Sequence, residues 1–236
     1  MSGITIEGTY NARWATPGPE STPWLARAAA LDEVGDAGRA QLAELGISLV
    51  LDLREDGELV ANADPRHGVP VARVALYRLP DGPPASGSLE QVYEFLLTER
   101  GAALTEAVAA IADSGGPVLV HCTAGKDRTG LVVALALLAA GHDEAHVVAD
   151  YALSTGVVRA RREQIAEETL RPMGLDADAH EAALRLHLDS PAEAMLHALQ
   201  TVSALGGAEA YLIRHGLRAE QLQALRRTLG RRPSDD

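Results

Sequence analysis

PVLVHCTAGKDRTGLVVALALLAA, residues 117–140, is the stretch on which the fold of this chain turns. Val118 to Val120, opened by a proline, has the composition of a short, fully buried strand. The polar, glycine-bearing segment HCTAGKDRTG (121–130) follows it. Thr129 to Ala140 is then apolar nearly all round, the pattern of a helix enclosed by protein. A strand, a tight loop and a buried helix in that order predict one half of a βαβ unit.

The same alternation extends outward. A helix around Asp36 to Leu45 stops at Gly46, a C′ glycine, and ISLVLDL (47–53) reads as the next buried strand. VARVALYRLP (71–80) reads as a further strand, ended by the turn sequence PDGPP. Residues 88–113 carry helical apolar spacing through Leu89, Val92, Phe95, Leu96, Leu104, Val108 and Ile111, and Gly115-Gly116-Pro117 breaks it. The expected fold class is α/β, with a central, largely parallel sheet flanked by helices. From about 143 onward only helices are predicted, forming an all-helical C-terminal layer. Ser190-Pro191-Ala192-Glu193 reads as a capping box with proline at the first helical position, and Gly206, Gly216 and Gly230 as helix stops. Residues 1–24 read as an irregular arm. Residues 1–236 are expected to be a single domain in which 157–204 forms a helical lid or insertion.

Composition narrows the functional classes. A 47% hydrophobic and 23% charged chain is soluble and globular in character. A formal net charge of −12 argues against nucleic-acid binding and supplies no polybasic membrane anchor. Any anionic substrate must therefore find a locally positive site. The only cysteine, Cys122, and the only lysine, Lys126, fall in the same loop, although arginine is abundant elsewhere. One cysteine permits no intramolecular disulfide, no signal peptide is evident, and the apolar run 131–140 is too short to span a bilayer, so a cytoplasmic setting is expected.

The loop carries the chemistry. A thiol at a helix N-terminus lies among unsatisfied N–H donors and the positive end of the helix dipole, which favour both a thiolate and a bound anion. Arg128 is suited to fork two oxygens of a phosphate. A nucleotide P-loop is excluded, because GxxxxGK[ST] would need glycine at Val120 and a hydroxyl at Asp127.

HCTAGKDRTG resembles HCxxGxxR[ST]G, the phosphate-binding loop of the cysteine-dependent tyrosine and dual-specificity phosphatases. Its GKDRTG ending is most similar to the bacterial atypical tyrosine phosphatases and their fungal relatives, some of which also act on phosphoinositides. The resemblance extends to the segment leading to DLRED, to ADYALS (149–154), and to GGAEAYLIRHGLRAEQLQALRRTLG near the C-terminus. It implies that Cys122 attacks phosphorus and forms a thiophosphate. Arg128 would grip two oxygens, while the N–H groups of Thr123, Ala124, Gly125, Lys126, Asp127 and Arg128 bind the remainder. Thr129 would donate to the sulfur as it departs, and His121 would orient the loop. No metal or cofactor is required.

The resemblance also implies a general acid some 30 to 40 residues before the cysteine. Asp81 in LPDGPP fits best; Asp52 is the alternative, although in DLRED it also suits a pair with Arg54. Asp127 beside an incoming dianion is expected to tune Lys126 or to assist proton transfer. Lys126 is expected to supply a second cation for substrates with more than one phosphate. The His142/His146 pair only imitates a zinc motif, since Asp143 reads as an N-cap. Arg159, Arg161 and Arg162 form a basic cluster on a helix, and Tyr151 is expected to pack. The resembling group opens with an N-F-R-D-L-G-G-like segment; here Asn11-Ala-Arg13-Trp14-Ala-Thr16 departs from it, which bears on a substrate mouth shaped by that segment. The expected function is hydrolysis of phosphomonoesters, phosphotyrosine foremost, on a phosphorylated protein. A phosphoinositide substrate, or a phosphate-binding module with weak turnover, is the alternative.

Overall fold

Five strands form one mixed sheet in the computed structural model, which describes residues 3–16, 22–59, 68–79 and 87–229. They are β1 (Arg13–Trp14), β2 (Leu25–Ala28), β3 (Leu49–Asp52), β4 (Val71–Arg73) and β5 (Val118–His121), in spatial order β1-β2-β5-β3-β4. β5 lies between β2 and β3, parallel to both; β4 is parallel to β3, and β1 pairs antiparallel with β2. The α/β class with a largely parallel sheet is therefore found as expected. The arm also contributes β1, an edge strand its Gly/Pro-rich composition concealed.

Alternation decides which cluster each strand residue joins. Val118, Val120 and Leu51 enter the larger hydrophobic cluster, whereas Leu119 and Val50 enter the smaller one across the sheet. α1 (Asp36–Glu44) covers the smaller side with Ile6, Trp14 and Leu31. α2 (Leu89–Glu99), α3 (Gly101–Asp113) and α4 (Asp127–Ala140) pack the other. α5 (Glu144–Ala152), α6 (Ser154–Leu170), α7 (Ala177–Leu188), α8 (Ala192–Ala204), α9 (Gly207–Arg214) and α10 (Ala219–Leu229) make up the helical C-terminal layer. α4 meets α3, α5, α9 and α10, which explains its apolar circumference. No helix among the described residues is long and apolar enough to cross a membrane.

Three local differences have physical causes. The 88–113 run is two helices, broken at Arg100 (φ −125°, ψ 21°). Gly101 there packs so closely on the His215 ring that a Cβ would lie 2.4 Å from Nε2. The 71–80 run pairs only through Arg73, because the Tyr77 and Arg78 N–H groups donate instead to the Glu55 carboxylate at 2.8 and 3.1 Å. Ser190 does not cap α8; Pro191 takes that place, and the buried Ser190 hydroxyl meets Thr155 Oγ1 at 3.0 Å. Gly46 is left-handed at the end of α1 as expected (φ +66°), and Gly230 lies outside the described residues.

The register aligns Ala28, His121 and Asp52 across the sheet, with Asp52 facing Arg73. The carboxyl ends of the parallel strands thus share one edge, and Cys122 leaves the central strand there. Open α/β sheets place their ligands at this edge.

Candidate active site

The loop from Cys122 to Asp127 turns under constraint from behind. Gly125 is left-handed (φ +66°), and a Cβ there would stand 2.1 Å from Ala28 O, so only glycine fits. Asn11 Nδ2 donates to Ala124 O and Gly125 O at 3.1 and 3.0 Å. Arg27 Nη2 donates to Gly125 O and Lys126 O at 2.7 and 3.1 Å. These donors draw three successive carbonyls away from the cavity. In a trans peptide the N–H opposes the C=O, so the N–H groups of Gly125, Lys126 and Asp127 turn the other way. A buried ionic cluster anchors the arrangement: Arg13 and Arg27 both pair with Asp150, at 2.7 and 2.6 Å. The Asn11–Thr16 departure thus falls largely behind the loop.

Cys122, 3% exposed, lines a cavity of about 240 Å³ together with Thr123, Ala124, Asp127 and Arg128. Tyr77, Val92 and Leu186 give this cavity apolar walls. The Arg128 guanidinium lies 5.0 Å from the Tyr77 ring centre. Both Arg128 Nη atoms donate to the Glu58 carboxylate, one at 2.7 Å, and Thr123 Oγ1 donates to it too. Arg128 Nε has no partner among the described residues. Burial pushes the Glu58 carboxyl up, but the Arg128 and Thr123 hydrogen bonds outweigh it and hold it below its ordinary range.

Glu58 was absent from the sequence-based site. Its signal was a carboxylate six residues beyond Asp52 in DLREDGE, meaningful only once β3 is known to lie beside β5.

Asp52 occupies a different environment. Its carboxylate accepts from Arg54 N at 3.0 Å and from Arg54 Nη2 at 2.9 Å, and Arg54 also binds Asp32. Burial opposes ionisation of Asp52, yet Arg54 holds it ionised, below the usual carboxylate range. It lies outside the Cys122 cavity, so this alternative proton donor is withdrawn. Asp81 lies outside the described residues. His121 Nδ1 meets Cys122 O at 3.2 Å, and burial lowers the pKa of its ring. Thr129 is fully buried, and its hydroxyl has no hydrogen-bond partner among the described residues, Cys122 included.

Lys126 is placed differently from expectation. It is 1% exposed, and its ammonium donates to Asp127 Oδ1 (2.7 Å), Asp189 O (2.7 Å) and Leu186 O (3.1 Å). All three protons are engaged, two of them on carbonyls at the C-terminal end of α7, where a cation is favoured. The side chain does not line the cavity. Asp127 does line it, with Oδ1 accepting from both Lys126 and Tyr93 Oη (2.6 Å), which leaves Oδ2 without a partner among the described residues. Tyr151 packs edge-on to Tyr93 and shares a 2.6 Å hydroxyl contact with it. Of the arginine cluster, Arg159 pairs with Asp189 and Glu163, whereas Arg162 lines the cavity. Asp143 caps α5, and His146 Nε2 meets Ala15 O at 2.6 Å.

A tyrosine phosphatase family profile matches residues 18–231. The chain belongs to that family. It is 34% identical over 180 residues to the triple specificity protein phosphatase PtpB of Mycobacterium tuberculosis, covering 61% of this chain and 65% of that protein. It is 30% identical over 226 residues to a tyrosine-protein phosphatase of Nostoc commune, covering 86% of this chain and 73% of the relative. Among solved structures, the core catalytic domain of the PP-IP phosphatase SIW14 from S. cerevisiae aligns over 78% of this chain and 95% of its own. The TM-score is 0.42 at 15% identity.

Proposed function

We propose that this chain hydrolyses phosphomonoesters, phosphotyrosine foremost, through a cysteinyl-phosphate intermediate. The observation that carries the reading is the meeting of Cys122, Arg128 and the start of α4 in one small cavity with apolar walls. Tyr77, Val92 and Leu186 suit an aryl ring, and the loop below them suits its phosphate.

In the first step Cys122 Sγ bonds to phosphorus as the bond to the leaving oxygen breaks. Arg128, through Nε and a second nitrogen, and the inward N–H groups hold the equatorial oxygens. Asp81 protonates the leaving phenolate. In the second step water adds to phosphorus, the S–P bond breaks, and Asp127 Oδ2 takes the water proton. Thr129, its buried hydroxyl otherwise unpaired, donates to the departing sulfur. His121, kept neutral, orients the loop from behind. No step calls for a metal or a cofactor.

The name of the mycobacterial relative, triple specificity, favours a range wider than phosphotyrosine; the placement of Lys126 does not argue for a second phosphate. A working thiolate also fits a reducing, cytoplasmic setting.

The test is turnover of a chromogenic aryl phosphate by wild type and C122S, with mass-spectrometric trapping of phosphocysteine. Vanadate-sensitive turnover lost in C122S is expected. Wild-type protein that binds phosphotyrosine peptide without any turnover would show a binding module instead.

A further inference from the structure

Arg162 differs from the two cations of the catalytic loop. Lys126 and Arg128 are both held by carboxylates, whereas Arg162 lines the Cys122 cavity with no salt bridge among the described residues. Acidic groups outnumber Lys and Arg by 33 to 21 in this chain, so a half-buried arginine without a carboxylate is not the default outcome. Beside it lies the Tyr10 hydroxyl, which is buried, faces Arg162, and has no acceptor for its proton among the described residues. A guanidinium without a carboxylate beside a hydroxyl proton without an acceptor has the donors for an anion and lacks the anion.

The surroundings decide which anion fits. Arg161 and Arg162 are consecutive on α6, so they diverge by about 100° around its axis. Arg161 accordingly lines a neighbouring groove of about 410 Å³, with Ile4, Tyr10, Leu153 and Val157. Tyr10 lines this partly apolar groove and also lies close to Arg162 and Cys122, so the groove neighbours the catalytic cavity. A compact polyphosphate would instead crowd its charges into the cavity, where Glu58 and Asp127 already stand. An extended peptide suits two neighbouring cavities.

We propose that Arg162 and the Tyr10 hydroxyl form a subsite for a carboxylate side chain flanking the phosphotyrosine of a peptide substrate, whose chain continues into the groove beside Arg161. The subsite rests on the phosphatase reading above and adds sequence preference to it. Because Arg162 is half-exposed, the gain is modest and salt-sensitive, about two- to fivefold at low ionic strength.

The test uses two phosphotyrosine peptides that differ only in Glu or Gln at the positions flanking the phosphotyrosine. An aryl phosphate and a soluble inositol mono- and bisphosphate serve as further substrates. Wild type is expected to favour the Glu peptide in kcat/KM, with the ratio fading at high salt. R162A is expected to bring the ratio to one, R162K to keep part of it, and Y10F to narrow it. A wild-type ratio of one, or a ratio that survives R162A, would overturn the proposal. So would a loss in R162A that is equal for both peptides and the aryl phosphate, which marks a structural role. Loss confined to the inositol bisphosphate would overturn it in favour of a lipid headgroup. Absence of aryl phosphate turnover in wild type would refute the phosphatase reading itself, a result separate from all of these.

Discussion

Arg27→Met tests whether the phosphate-binding loop is held in shape from behind. Arg27 is 0% exposed and donates to Asp150 Oδ2 at 2.6 Å, to Gly125 O at 2.7 Å and to Lys126 O at 3.1 Å. Methionine keeps much of the volume and none of the donors. The two loop carbonyls are not orphaned, since Asn11 Nδ2 still reaches Gly125 O (3.0 Å) and Gly130 N still reaches Lys126 O (2.8 Å). Asp150 also keeps Arg13, at 2.7 Å. What is lost is half the compensation of a buried carboxylate. That places the destabilisation at the low end of the range for removing one partner of a buried pair, about 3 kcal/mol. Urea unfolding at neutral pH measures it, and adding Asp150→Asn in the Met background should recover part by removing the under-compensated charge. The acid limb gives a second reading. Burial pushes Asp150 up, but Arg27 and Arg13 together hold it below the usual carboxylate range. Its contribution is therefore present above the unfolded pKa, about 3.9, and is lost as pH falls through the lower folded value. In Arg27→Met the folded pKa rises and this limb shrinks. Vanadate affinity should fall about tenfold, or 1.4 kcal/mol, as the loop N–H groups lose alignment. A destabilisation below about 1 kcal/mol, within the range of ordinary surface substitutions, with unchanged vanadate binding would refute the reasoning.

Glu58→Gln leaves one acceptor where a carboxylate served Arg128 and Thr123, and its amide opposes a guanidinium N–H; aryl phosphate kcat/KM should fall about tenfold, a 1.4 kcal/mol effect. Because the folded Glu58 pKa is lowered, the stability difference should be present above the unfolded value of about 4.3 and vanish as pH falls through the folded one, which urea melts across that range will show. Lys126→Met removes three hydrogen bonds, two of which join the loop to the end of α7, so amide exchange should rise over 177–189 and stability should fall by about 2 kcal/mol; unchanged exchange there would refute the tie. Gly125→Ala should lose vanadate binding, because the left-handed backbone alone costs about 1–2 kcal/mol and its Cβ also meets Ala28 O.

What could be read in advance was what is local. Strand, glycine-bearing loop and buried helix occupy 24 consecutive residues, so residue type and period place Cys122 and Arg128 at a helix N-terminus without any long-range knowledge. The features that escaped all depend on contacts distant in sequence. Glu58 meets Arg128 across 70 residues, through the β3–β5 adjacency, and period-two patterning does not set strand order. The break at Arg100 lies inside an apolar pattern that continues on both sides, and its partner contact, His215, is 114 residues beyond Gly101. Lys126 shows the same limit with a chemical consequence. Its solitude among basic residues marked it as special, but composition could not say whether the ammonium faced substrate or protein. The acceptors decide: two of the three belong to the end of α7, and the third is the carboxylate that lines the catalytic cavity. Any displacement of α7 would remove the two carbonyls and leave the buried ammonium to Asp127 alone. The seating of α7, whose Leu186 also walls the cavity, and the hydrogen bonding of the Asp127 carboxylate are therefore coupled through one lysine, the only one in the chain.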